Sequence, residues 1–308
     1  MSRILVVAPN WIGDALMAQP LLSRLKGATI DVLAPPWVAP VARRMPEVRD
    51  VISADLRHGT LQLRDRWRLA RTLKGRYDSA FVLPNSWKSA LIPFLARIPR
   101  RIGYLGEMPY GLLNVIRKKT GAPMPQHYAA LAGGAELSAP RLRVSAPEIE
   151  EVKRRFGIDG RYAVLCPGAE YGPAKRWPYF KETAERLGMP SVIVGAAKDR
   201  AAAAGIRGKD LVGRTTLDEA ICLIAGAALV LSNDSGLMHV AAALERPQVA
   251  LFGSSSPLHT PPASSRARVL WLRLECSPCF ERECPLGHFR CMKDISVDRV
   301  LAEIAALA

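Results

Sequence analysis

The chain has 308 residues, room for about two domains at the usual ~100–200 residues each. Hydrophobic residues make up 49% and charged residues 23%, which excludes a disordered chain and a small disulfide scaffold. The net charge of +15 is uneven: residues 1–150 carry 22 Lys and Arg against 11 Asp and Glu, while residues 151–308 carry 21 against 17, so an anionic partner is expected to meet the first half.

The opening run Ile4–Ala8 is short, apolar and rich in β-branched residues, the pattern of a buried parallel strand. A turn over Pro9–Gly13 leads to a helix expected at 15–26. Alternation then continues with a strand at Thr29–Leu33, a helix at Val38–Met45, a strand at Val51–Ala54, a helix at Trp67–Leu73, a strand at Ser79–Leu83 and a helix at Trp87–Ala96. Strands alternating with helices of this length predict βαβ units and a parallel sheet. Residues 137–147 lose the pattern, carry two prolines and read as a linker. A second alternation starts afresh: strand Tyr162–Cys166, helix Trp177–Leu187, strand Ser191–Val194, a helix after Lys198 and strand Leu211–Val212. It continues through helix Leu217–Ala227, strand Leu229–Ser232, helix Leu237–Leu244 and strand Val249–Phe252, and a terminal helix follows at Val297–Leu307. Two such halves predict a cleft between sheets, with ligands at the carboxyl ends of the strands.

Absences narrow the function. The strongest apolar run, Ala220–Ser232, has 13 residues, short of the ~20 that span a bilayer. The N-terminal apolar stretch meets Asp14 too soon for a signal peptide, so a cytoplasmic location is expected. Gly-x-Gly-x-x-Gly is missing, which argues against a nicotinamide-dependent oxidoreductase, and Asp-x-Asp is missing too. Gly208-Lys-Asp-Leu-Val-Gly213-Arg214-Thr215 imitates a phosphate-binding loop but runs through an expected strand. With 6% aromatic residues and phosphate-friendly motifs at βα turns, a basic nucleic-acid-binding protein is disfavoured.

Three turns carry candidate chemistry. Trp11-Ile-Gly13-Asp14 puts a carboxylate just after the first strand, at a helix start; there it serves either the helix dipole or an acceptor hydroxyl as general base. Pro167-Gly-Ala-Glu170-Tyr171-Gly-Pro-Ala-Lys175-Arg176-Trp-Pro178 brings glycines and two cations to a strand-to-helix turn, a phosphate or pyrophosphate cradle. Asn233-Asp234-Ser235-Gly236-Leu-Met-His239 joins capping residues to a histidine one turn into the next helix, where backbone N–H groups face an anion. Cys276, Cys279, Cys284 and Cys291 lie within 16 residues, but their spacing lacks the two close pairs usual for zinc, and reduced thiols in a loop are expected.

Taken together, Trp11–Asp14, Pro167–Pro178, Asn233–His239 and Cys276–Pro285 resemble the bacterial lipopolysaccharide heptosyltransferases of glycosyltransferase family 9, and most closely the group that adds the second heptose. The resemblance runs over essentially the whole chain. It implies a GT-B fold, two Rossmann-like α/β domains facing a cleft. Residues 1–147 would bind the acceptor and 148–294 ADP-heptose, and 295–308 would cross back to the first domain. It implies an inverting transferase with no metal and no cofactor, acting on heptosyl-Kdo2-lipid A at the inner face of the inner membrane. Acceptors of the first and third heptosyltransferases are the alternatives. Carried over by motif, Asp14 is the general base beside Trp11 and Gly13 on the acceptor side. Lys175 neutralises the leaving pyrophosphate. Asp234, Ser235, Gly236 and His239 form the donor-binding turn, with Glu170, Tyr171, Arg176 and Thr215 against nucleotide or sugar and Asp199 at the ribose hydroxyls.

Overall fold

The computed structural model describes residues 1–56, 60–107, 109–119, 121–134 and 137–307, and contacts divide them after Pro140 into two units. That division falls inside the expected linker. The first unit runs β1 (Arg3–Val7), α1 (Ile12–Met17), α2 (Gln19–Arg24), β2 (Thr29–Ala34), α3 (Ala39–Arg43) and β3 (Val48–Ser53). It continues with α4 (Leu63–Leu73), β4 (Ser79–Val82), α5 (Trp87–Leu95), β5 (Arg100–Tyr104), β6 (Val115–Arg117) and α6 (Met124–Ala129). The second holds α7 (Ala146–Arg155), β7 (Ala163–Cys166), α8 (Phe180–Arg186), β8 (Ser191–Ile193), α9 (Arg200–Ala203), β9 (Lys209–Asp210) and α10 (Leu217–Ala225). Its remainder is β10 (Leu229–Asn233), α11 (Gly236–Ala243), β11 (Gln248–Phe252), β12 (Ala267–Trp271), α12 (Arg290–Lys293) and α13 (Val297–Ala305).

Both sheets are parallel. The first has the order β3-β2-β1-β4-β5-β6 and the second β9-β8-β7-β10-β11-β12. In each unit the chain winds outward one way, then returns to the centre and winds outward the other way. The reversal point lies between β1 and β4, and between β7 and β10. Loops diverge there and leave a crevice at the carboxyl ends. Burial on both faces explains the apolar central strands: Leu5, Ala163, Val164, Leu165, Val230 and Leu231 are all fully buried. Each such Leu or Val contributes ~1.5–3 kcal/mol of transfer free energy.

Several expected elements fall elsewhere, for local reasons. The single helix expected at 15–26 is two, because Pro20 lacks the N–H that would continue α1; it sits instead in the first turn of α2. The end of the expected linker belongs to α7, which Ser145 caps: its N–H donates to Glu148 Oε2 at 2.8 Å, and Pro147 sits in the first turn. The strand expected at Leu211–Val212 is β9, two residues earlier. Its Gly208–Thr215 stretch forms no strand-to-helix phosphate loop; Gly213 packs against Ala197. The terminal helix, expected to return to the first unit, packs on the second: α13 lies against α8 and β11, with Val300 fully buried and Val297, Leu301 and Ile304 beside it.

Candidate active site

In the second unit the two loops at the reversal point are tied together by Asn233, the last residue of β10 and fully buried. Its Nδ2 donates to the Pro167 carbonyl at 2.7 Å, and its Oδ1 accepts from the Trp177 N–H at 3.0 Å. One amide thus fixes both ends of the 167–177 loop against the start of the Asp234 turn. Asp234 itself donates its N–H to Leu251 at 3.0 Å, and its Oδ2 accepts from Lys175 Nζ and Ser255 Oγ, each at 2.5 Å. The Lys175 and Asp234 side chains are only 15% and 5% exposed, so this ion pair has little solvent around it. Charge-assisted bonds are strong in such surroundings, and a partner lost here is costly.

α11 begins directly after this pair. Ser235 is its N-cap residue, yet its side chain caps no backbone N–H, and its buried Oγ has no partner among the described residues. The first-turn N–H groups are therefore not occupied by a side-chain cap, as an anion site requires. His239, buried one turn in, has its pKa pushed down to about 4 by burial; Asp234 pulls it up and Lys175 pushes it down. The imidazole is neutral at pH 7. Because the folded pKa lies below the ordinary ~6.5, protons favour the unfolded chain. The stability His239 contributes is complete above pH ~6.5 and is lost as pH falls toward 4, by up to about 3 kcal/mol. His239→Gln is expected to flatten the urea midpoint against pH over that window. An unchanged acid limb counts against the assignment.

Tyr171 lies over the same pair, with Lys175 Nζ 4.9 Å and the Arg282 guanidinium 5.5 Å from its ring centroid, and its hydroxyl donates to the Phe280 carbonyl. The cysteine loop does this buttressing. Arg282 also accepts from the Ala174 N–H at 3.0 Å, and Gly172, at φ +152°, leaves no room for a Cβ beside that carbonyl. None of the six cysteines forms a disulfide. Burial pushes the Cys284 thiol up, but backbone N–H groups led by Phe289 outweigh it and bring the net shift down. Cys291 is pushed up to about 11 by burial, then by Cys279, Cys276 and Cys284. Among the described residues no group of three His, Cys, Asp or Glu side chains is arranged to hold a metal.

Other expected donor residues stand apart from this cluster. Glu170 pairs with Lys198 at the exposed rim of the loop. Arg176 is half-buried, its Nε without a partner among the described residues. Thr215 is half-buried in the turn before Thr216, which caps α10. Asp199 is buried between Gly168 and Gly195; its Oδ2 accepts from the Ala196 N–H at 3.0 Å, and its Oδ1 is unpartnered among the described residues. A Cβ on Gly168 would overlap the Asp199 carboxylate, so the glycine serves this close approach. Gly168→Ala is expected to cost ~1–3 kcal/mol by overpacking, read as a lower urea midpoint; no loss of stability contradicts the contact.

In the first unit Trp11 is half-exposed at the start of α1, Gly13 is buried, and Asp14 is half-buried in the first turn. Trp37 Nε1 donates to the Asn10 carbonyl at 2.8 Å, fixing the approach to that turn. α6 packs on α1 and α2. Its buried Tyr128 has a phenol pKa pushed up by burial and then by the Asp14 charge, which puts that hydroxyl in Asp14's electrostatic neighbourhood.

A family model, glycosyltransferase family 9 (heptosyltransferase), matches residues 66–290. The chain belongs to this family. It is 42% identical to lipopolysaccharide heptosyltransferase 2 of Escherichia coli K12 and 43% identical to that of Salmonella typhimurium, each alignment covering 99% of this chain and 98% of the relative. The structure of E. coli ADP-heptose lps heptosyltransferase II superposes with a TM-score of 0.88 at 40% identity, covering 99% of this chain and 98% of that one. This family 9 glycosyltransferase accordingly has the GT-B class of fold, with two doubly wound parallel sheets. Sequence reasoning missed Ser255. The signal was there: Ser254-Ser255-Ser256 follows β11 after the single residue Gly253, at the same sheet edge as Asp234.

Proposed function

We propose that this chain transfers L-glycero-D-manno-heptose from ADP-heptose, with inversion, to the first heptose of the lipopolysaccharide inner core. The observation that carries the reading is the buried Lys175–Asp234 pair beside the uncapped start of α11, in a chain over 40% identical to proteins named lipopolysaccharide heptosyltransferase 2. In this reading the Asp14 carboxylate takes the proton from the acceptor hydroxyl, whose oxygen attacks the anomeric carbon of the donor heptose. The bond from that carbon to the β-phosphate oxygen breaks, and ADP leaves with the electron pair. Lys175 and the α11 N–H groups balance the growing diphosphate charge. Asp234, held by Ser255, aims Lys175. Neutral His239 offers a ring nitrogen to the bound donor without adding charge, and Tyr171 shields the pair from water. Asp199, with an oxygen unpartnered among the described residues, is the candidate for the ribose hydroxyls.

The test is transfer from ADP-heptose, in the presence of chelator, to a core ending in the first heptose and to one ending in Kdo. Turnover on the heptosylated core alone supports the reading. Turnover on the Kdo-terminated core makes the enzyme a first heptosyltransferase, and turnover on neither refutes the sugar or the acceptor.

A lipid-borne acceptor requires the chain to reach a membrane surface. No helix among the described residues is long and apolar enough to cross a bilayer. α4 suits peripheral contact: Leu63 and Trp67 are half-exposed among Arg64, Arg68 and Arg71, and the Arg71 guanidinium stacks 4.8 Å from the Trp67 ring centroid. Binding to anionic vesicles is expected to weaken as salt rises from about 0.1 to 1 M, where the Debye length falls from ~10 to ~3 Å. It should weaken further in Trp67→Ala. Salt-independent sedimentation contradicts the contact.

A further inference from the structure

A cavity of about 220 Å³ opens at the carboxyl ends of the first sheet, at its reversal point, where Ala8 and Asn10 after β1 face Pro84 and Ser86 after β4. It holds on the order of seven waters at ~30 Å³ each, the size of one small polar group or sugar ring. Arg66 of α4 lines it and is 6% exposed. Its Nε donates to the Leu61 carbonyl at 2.7 Å and its Nη1 to the Lys88 carbonyl at 2.9 Å. A guanidinium has five N–H donors, and the second terminal nitrogen bonds to nothing among the described residues. No carboxylate pairs with Arg66 among those residues, and burial alone accounts for the fall in its pKa. Buried arginines are almost always paired, because an uncompensated charge away from water is costly. Lys88 also lines the cavity, and Glu107 is the one carboxylate that does so among the described residues.

We propose that this cavity binds an anionic group of the acceptor, a sugar carboxylate or a phosphate, with Arg66 as its fixed counter-charge. The inference rests on the heptosyl-transfer reading for the word acceptor, but the anion site stands on the cavity and a buried cation that no carboxylate pairs among the described residues. The backbone carbonyls hold two edges of the guanidinium and leave the third for a ligand oxygen, the fork geometry that favours arginine at carboxylate and phosphate sites. Ser86 and Ser89 add hydroxyls at the same wall. Asn10 is four residues ahead of Asp14, so an anion seated here lies on the loop that leads into the general base.

The experiment compares the full chain with Arg66→Gln, Arg66→Lys and Ser89→Asp. Sodium glucuronate and inorganic phosphate, each against sodium chloride of equal ionic strength, serve as probes in thermal unfolding. One or both anions should raise the Tm of the wild type and fail to do so in Arg66→Gln and Ser89→Asp. Which anion acts separates the carboxylate source from the phosphate source. In transfer assays, acceptor KM should rise at least tenfold in those two variants, with donor KM and kcat within about twofold, and Arg66→Lys should recover part of the loss. Wild-type Tm indifferent to both anions overturns the proposal, as does a rise in donor KM instead of acceptor KM. A staple role for Arg66 predicts a lower Tm with unchanged acceptor KM, which also overturns it. Should Arg66→Gln fail to fold, Ser89→Asp carries the same comparison. If the wild type transfers nothing to the heptosylated core, the functional reading falls, while the anion-dependent Tm still decides the cavity.

Discussion

Asp14→Asn is expected to lower kcat by about 10²–10⁴-fold, the usual loss when a positioned general base is removed, with donor KM nearly unchanged. The amide keeps the shape of the side chain, so the α1 turn and its neighbour Tyr128 stay packed. The folding cost is limited to the lost carboxylate–dipole attraction, ~0.3–1 kcal/mol. Two measurements separate catalysis from structure: steady-state turnover on the heptosylated core, and Tm. A turnover loss under tenfold with an intact Tm sinks the assignment of Asp14 as base, because a helix-dipole partner predicts that outcome.

Lys175→Met is expected to damage chemistry and folding together. Removing a charge aimed at a developing oxyanion costs about 10²–10³-fold in kcat. It also leaves the buried Asp234 carboxylate with Ser255 as its remaining side-chain donor among the described residues. Breaking one side of a buried pair costs ~3–5 kcal/mol, and the partial exposure of Lys175 puts the expectation at the low end. The double variant Lys175→Met with Asp234→Asn removes both charges. It should regain most of the stability and none of the activity, a coupling that a double-mutant cycle reads directly. Recovery of turnover in the double variant would refute the role of Lys175 at the leaving group.

The alternation of β-branched runs with helical stretches made both sheets legible, because strands buried on two faces leave continuous apolar text. The site loops were legible for a related reason: glycine, proline, Asp and Lys concentrate where strands end and helices begin. What could not be read was the pairing of Lys175 with Asp234, 59 residues apart, since sequence carries no distance between loops. Asp199 was read only by resemblance, and its packing against Gly168 follows from the fold alone. β5 and β6 escaped for the opposite reason. Arg100-Arg101 opens β5, next to the sheet edge, and Arg117 closes the three-residue edge strand β6, so charged residues diluted the apolar signal in both. The α1–α2 break was legible in Pro20, and the expected helix ran through it.

Each parallel sheet has two unlike edges, and the candidate site residues of its unit lie at one of them. The turns that lead from helices back into strands, around Gly27, Gly75, Gly160 and Gly188, lie at the other edge, with open space within 4 Å of each glycine's missing side chain. Those four turns are tolerant ground for engineering. A fluorophore, an affinity handle or an inserted reporter domain attached there stays a full strand length away from the candidate site residues of the same unit. Within each unit the two ends of the sheet can therefore be used separately, one for turnover and the other for tethering.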